Sequence, residues 1–79
     1  MDDEEYITLI QRLGPKLYRF FLSRGTKTDA EESVQEVFTR LIERVNAAAF
    51  NRDLGNLDSY AWGIAMNLRR ERARSREIS

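Results

Sequence analysis

The chain has 79 residues, 42% of them apolar and 33% charged, with thirteen Lys/Arg balancing thirteen Asp/Glu. It contains neither cysteine nor histidine, which excludes a disulfide framework, an ordinary zinc site and the common nucleophile–imidazole pairs. At this length a domain buries only about 60–65% of its unfolded surface, so the core is small and must be regular. No apolar run approaches the ~20 residues that span a bilayer, and the acidic start is not a signal peptide.

The zero net charge conceals an asymmetry. Residues 1–45 carry seven Lys/Arg against nine Asp/Glu, a balance of −2, and residues 46–79 carry six Arg against four acids, a balance of +2. Between Arg69 and Arg76 stand five Arg and one Glu, or +4 in eight residues. Such blocks mark partner surfaces better than the overall pI does.

Taken in order, Asp2 to Glu5 form an acidic entry to a helical pattern. Tyr6, Ile10, Leu13, Leu17 and Phe20/Phe21 recur at three- and four-residue spacing as far as Arg24. Gly14-Pro15 interrupts it, because proline removes a hydrogen bond and disfavours helix at the residue before it. The expectation is one kinked helix or two short ones. Arg12, Lys16, Arg19 and Arg24 coat the outside as a solvated face. Gly25-Thr-Lys-Thr is a short turn with glycine as the C-cap.

A second helix is predicted over Thr28–Val45, with Thr28 and Glu31 as a capping box. Ala30, Val34, Val37, Leu41 and Val45 make its core stripe, and Glu32, Glu36, Thr39 and Glu43 its polar face. Gln35 sits beside Phe38 and Ile42 outside that stripe, so an amide adjoins an apolar ledge. That ledge is a candidate partner surface. Arg40 and Arg44 take the other flank.

From Asn46 the pattern dissolves, and a loop is expected at Asn51–Asn56 with Phe50 as a plug beneath it. A third helix begins near Leu57, capped by Asp58 or Ser59, with Leu57, Ala61, Ile64 and Leu68 as its stripe. Arg72 falls on the same line as Leu68, so this helix should run past the core. The fold class is therefore all-α. It is a bundle of three to four helices with an antiparallel first pair, forming one domain over residues 1–79.

No glycine-rich phosphate loop and no paired carboxylates in a cleft accompany the missing His and Cys, so the sequence points away from an enzyme and from any cofactor. Nucleic-acid binding is better supported. Gly63, Asn67, Arg70 and Arg74 share one flank of the third helix: Gly63 permits close backbone approach, Asn67 suits a base edge, and the arginines suit phosphates. Trp62, Met66 and Arg69 on the other flank offer a stacking surface beside a charge. Four or five phosphate contacts would give a log–log salt slope of roughly −3 to −4.5.

Two stretches resemble a known family. DAEESVQEVFTRL at Asp29–Leu41 is similar to the D-A-E-D-x-x-Q-E-x-F pattern of bacterial sigma factors, in their second conserved domain. SYAWGIAMN at Ser59–Asn67 is similar to that domain's x-W-L-x-x-I-A-x-N pattern, and LGPKLYRFFLSRG at Leu13–Gly25 to its opening helix. The likeness is greatest to the extracytoplasmic-function (ECF) group. The sequence departs from the pattern at Tyr60, where the family has Trp, and at Glu32, where Asp is commoner; its loop after Phe50 is one residue longer.

The resemblance implies that Glu32, Gln35 and Glu36, with Phe38 and Ile42 as apolar support, dock on the clamp helices of the largest RNA polymerase core subunit. It also implies binding of the non-template strand of the minus-ten promoter element, with a base flipped from the stack. Asn67 would contact a base, the loop including Asn51, Arg52 and Asn56 would form its pocket, and Arg69, Arg70 and Arg74 would hold phosphates. An anti-sigma factor is a further implied partner, a membrane is not, and the location would be cytoplasmic. The family's minus-thirty-five-binding domain has no counterpart in these 79 residues. The alternative is a protein-interaction module without a DNA role, either a polymerase competitor or an anti-sigma-regulated domain.

Overall fold

The computed structural model describes residues 3–46 and 57–78, with side chains as far as Ser75. Three α-helices account for nearly all of them: α1 (Asp3–Leu22), α2 (Lys27–Asn46) and α3 (Leu57–Ile78). The expected plug Phe50 and the loop residues Asn51, Arg52 and Asn56 lie outside the described residues.

Helix α1 is one element of twenty residues that carries Pro15 inside it, which excludes two short helices. Proline leaves the carbonyl four residues earlier without its helical donor. Gln11 and Pro15 are both exposed, so water can satisfy that group. The buried edge of α1 is Leu9, Leu13, Leu17 and Phe21, a strict four-residue series, with Tyr6, Ile10 and Phe20 only partly buried beside it. Leu13, Leu17 and Phe21 are buried as the sequence pattern expects, but Leu9 takes the place given to Ile10, because Ile10 and Phe20 are as apolar as the residues that won the interior.

At the end of α1 the last carbonyls are taken locally. The Arg24 and Gly25 amides donate to the Phe21 and Leu22 carbonyls at 3.0 and 3.4 Å. The Phe20 carbonyl accepts from the Ser23 hydroxyl at 2.8 Å and from Arg24 Nη1 at 2.9 Å. A cation there also complements the negative end of the helix dipole.

The capping box of α2 lies two residues earlier than the sequence pattern suggests. Thr26 Oγ1 accepts from the Asp29 amide at 3.1 Å, and Asp29 Oδ2 accepts from the Thr26 amide at 3.4 Å. Thr28 and Glu31 are exposed within the helix. Both threonine–acid pairs have the same spacing, and the tight turn after α1 selects the earlier one.

The buried edge of α2 is Ala30, Ser33, Val37, Phe38 and Leu41, while Val34 and Val45 are half-buried. Phe38 therefore belongs to the core, at 5% exposure, and not to a ledge outside it. Its ring meets Tyr6 edge-on at 6.3 Å. At the other end of the same pair of helices Phe21 faces Asp29 and Ser33, so α2 returns along α1.

Helix α3 buries Ala61, Ile64, Ala65 and Leu68. Ala30, Ala61 and Ala65 are wholly enclosed, and such small side chains let helix backbones approach closely. Asp58 is not the cap: it lies inside the first turn and accepts both Arg12 Nε, at 3.2 Å, and Arg12 Nη2. That pair holds the start of α3 against α1, and Arg12 is not a merely solvated charge. Past Leu68 the helix continues beyond the core, as expected, and its described side chains as far as Ser75 are exposed except Arg72. Arg72 is half-buried and shares a cavity with Phe21, Gly25 and Ser33, at the turn between the first two helices.

The cap assignment is testable by thermal unfolding. Thr26→Ala should cost about 1 kcal/mol, which in a domain of this size lowers Tm by roughly 4–8 °C. Thr28→Ala should stay within about 0.5 kcal/mol. Equal losses would return the cap to Thr28.

Candidate functional site

Helix α2 separates two grooves of unlike chemistry. The first lies between α1 and α2, has a volume of about 620 Å³, and is walled by Tyr6, Ile10, Pro15, Tyr18, Val34 and Phe38. Its polar rim is Glu31, Gln35 and Thr39. Gln35 is exposed, so its amide stands at the mouth of an apolar trough, the juxtaposition expected from the sequence. Phe38 contributes the floor and not the ledge. Glu32 is exposed farther along the helix, and Ile42 is half-buried.

The second groove, about 550 Å³, lies between α2 and α3 and is lined by Arg40, Arg44, Asn67, Arg70, Glu71 and Arg74, with Ile64 and Ser75. Asn67, Arg70 and Arg74 are therefore brought together, as their spacing on one helix flank demands. Asn67 is exposed and its amide is open to a ligand. Arg40 and Arg44 are additions that the sequence reading left unassigned. Among the described residues four arginines and one carboxylate line this groove, and that carboxylate is occupied.

The occupied carboxylate is Glu71. Arg40 Nη1 and Nη2 donate to its two oxygens at 2.8 and 3.0 Å, while Arg40 Nε donates to Glu36 at 3.0 Å. Arg40 holds the Glu71 carboxyl below the usual carboxylate range, chiefly by these hydrogen bonds, and the two acids raise Arg40 in turn. A forked pair of this kind fixes register more than it adds stability, because both ends are solvated. It sets α3 against α2 at the level of the groove. Glu36 is consequently turned toward α3, away from Gln35. Arg44 Nη1 donates weakly to the Tyr60 hydroxyl at 3.4 Å.

Arg69 does not join this groove. One hundred degrees per residue carries it to the far flank of α3, where it lines a different cavity with Arg24 and Arg72. Trp62 is not an open stacking platform either. It is half-buried and meets Phe20 edge-on at 5.6 Å. Gly63 is exposed, and a Cβ built there would touch nothing within 4 Å, so no part of the bundle packs on it. Met66, 42% exposed, adds an apolar point to the outer ridge.

The family described as Sigma-70 region 2 matches residues 9–77. The chain belongs to the sigma-70 region 2 family. No curated protein and no solved structure matches it. Sigma-70 region 2 is a transcription-factor domain and not an enzyme family, and its place is in polymerase core binding and minus-ten promoter recognition. The match runs through all three helices, so both grooves are built from family elements. Among the described residues no helix is long and apolar enough to cross a membrane, and no cluster of acidic side chains could hold a metal ion.

The Arg40–Glu71 fork has a pH signature. A carboxylate whose folded pKa is depressed contributes above its unfolded value and loses that contribution as pH falls through the folded one. The register should therefore hold at neutral pH and loosen only below the ordinary glutamate value of 4.5. Glu71→Gln should remove this acid-dependent step, seen as amide shifts of α3 in an NMR titration. An unchanged titration in that variant would refute the assignment.

Proposed function

We propose that the protein acts in transcription initiation as an ECF-type sigma domain that bridges RNA polymerase and an opened promoter strand. The observation that carries this reading is the Asn67 amide, exposed in a groove of four arginines whose one acid among the described residues is already committed. A base unstacked from the minus-ten element can present its hydrogen-bonding edge to Asn67. Arg70, Arg74, Arg44 and, with Glu71 released, Arg40 suit the flanking phosphates. The open backbone at Gly63 leaves room for the strand to lie close along α3. Asn51, Arg52 and Asn56, in the segment before α3, are proposed to complete the base pocket. Flipping a base costs a few kcal/mol, which these contacts must return.

On the other side, Gln35 and Glu32 are proposed to grip the clamp helices of the largest polymerase subunit, with Ile42 beside them and Phe38 stiffening the surface from below. The apolar groove beside Gln35 supports this reading, since a helical partner could lay an apolar edge into it. An anti-sigma factor would act by covering the same face. Glu36 contributes indirectly, through Arg40.

Two measurements test the division of labour. Asn67→Ala should relax discrimination at one position of a minus-ten oligonucleotide by about 1–3 kcal/mol. Arg70→Ala should instead weaken all sequences alike and make the salt slope shallower by roughly 0.7–0.9. Identical behaviour of the two variants would refute the assignment. For docking, Glu32→Lys combined with Gln35→Ala should lower affinity for core polymerase at least tenfold while leaving oligonucleotide binding intact. Binding to core but never to the minus-ten strand would favour a protein-interaction module without a DNA role.

A further inference from the structure

The turn between α1 and α2 carries a third cavity, of about 180 Å³, on the side of α3 away from Asn67. Arg24, Arg69 and Arg72 line it, with Ser33 and Gly25 in the wall and Asp29 as the one acid among the described residues. Three arginines and one aspartate in the lining leave a local formal balance of +2 among the described residues.

Two features separate this cluster from a chance gathering of surface charge. The first is how Arg24 is held. Its Nη1 donates to the Phe20 carbonyl at 2.9 Å and to the Ser23 hydroxyl at 2.8 Å, and its guanidinium lies 4.2 Å above the Phe20 ring. All three partners are neutral, so the side chain is fixed in place while its charge stays uncompensated. The ring is itself wedged edge-on between Phe21, at 5.1 Å, and Trp62, at 5.6 Å. A pre-set arginine loses little entropy on meeting an anion, and its fork matches phosphate oxygens.

The second feature is Ser33. It is the one buried polar side chain among the described residues, at 2% exposure, and it stands on the core edge of α2 between Ala30 and Val37. An apolar residue would serve packing better there. Ser33 also lines this arginine-bearing cavity, where a hydroxyl would serve an oxyanion.

We propose that this cavity is a second phosphate site, taking a backbone phosphate of the same nucleic acid whose base faces Asn67. The assignment rests on the promoter-strand reading above. Arg70 and Arg74 line the groove on one side of α3, and Arg69 and Arg72 line the cavity on the other, so a bound strand crosses the exposed face of α3 at Met66 and is held on both sides. The opened strand is thereby anchored at the α1–α2 turn, far in sequence from the base-reading helix.

The test combines two probes on the protein. Titration with inorganic phosphate should shift the Gly25 and Ser33 amide signals and the Arg24 Nε–Hε signal, and Arg24→Gln should abolish the amide shifts. With a minus-ten oligonucleotide, Arg24→Gln should make the salt slope shallower by about 0.7–0.9 without changing sequence preference. Arg69→Gln, at an exposed position, should do the same even if the loss of Arg24 disturbs the turn. The losses from Arg24→Gln and Arg69→Gln should be less than additive, because both hold one phosphate, whereas Arg24→Gln and Arg70→Gln should add. Phosphate shifts with an unchanged slope would overturn the strand assignment in favour of a free-anion site. No phosphate shift and no slope change would overturn the site itself. If Arg70→Ala weakens the oligonucleotide and neither Arg24→Gln nor Arg69→Gln does, this inference fails while the promoter-strand reading stands. Failure of the wild type to bind the oligonucleotide removes both.

Discussion

Everything in this small bundle depends on α2 being shared. A chain of this size cannot build a separate core under each surface, so one helix must pack on both neighbours. Helix α2 does so with small and medium side chains, Ala30, Ser33, Val37 and Leu41, which let α1 and α3 close on it from different sides. Its two remaining flanks then become the walls of two grooves. One wall is the Gln35 side, over α1; the other is the Arg40 and Arg44 side, over α3. Two unlike surfaces on one helix follow from a shortage of core.

Charge is arranged to suit that division. Acids cluster at the start of α1 and along the outer face of α2, and arginines along the second half of α3. Where the two signs meet, Arg40 reaches both Glu36 and Glu71, linking the two surfaces through one side chain. Exposed ion pairs of this sort contribute little stability. Their value is positional: with Glu71 tied, the Asn67 amide and the Arg70 and Arg74 guanidinium groups share one groove at a fixed height on α2. The same geometry means that drawing Glu36 toward a partner would disturb the groove on the other side.

The aromatic residues serve the scaffold. Tyr6 braces Phe38, and Phe20 is held between Phe21 and Trp62 with Arg24 over its face. Edge-on pairs of this kind add about 0.5–1.5 kcal/mol beyond the area they bury. In a core with few large residues they fix how the helices meet at each end. Trp62 is engaged in this way, which removes it from the stacking role that its neighbours Met66 and Arg69 suggest in the sequence.

The sequence by itself determined an all-helical fold of three to four helices, the position of the turn at Gly25, the exposure of Gln35 and Asn67, and the sharing of one flank by Asn67, Arg70 and Arg74. Each of these follows from periodicity within a single helix, which fixes relative angles without reference to any neighbour. Only the tertiary structure decided which of two equal capping boxes forms and that Phe38 is core. It alone brought Arg40 to Glu71, thirty-one residues away, and Arg24 to Arg69. Those outcomes depend on where a second helix lies, and periodicity along one helix carries no information about its neighbour's position.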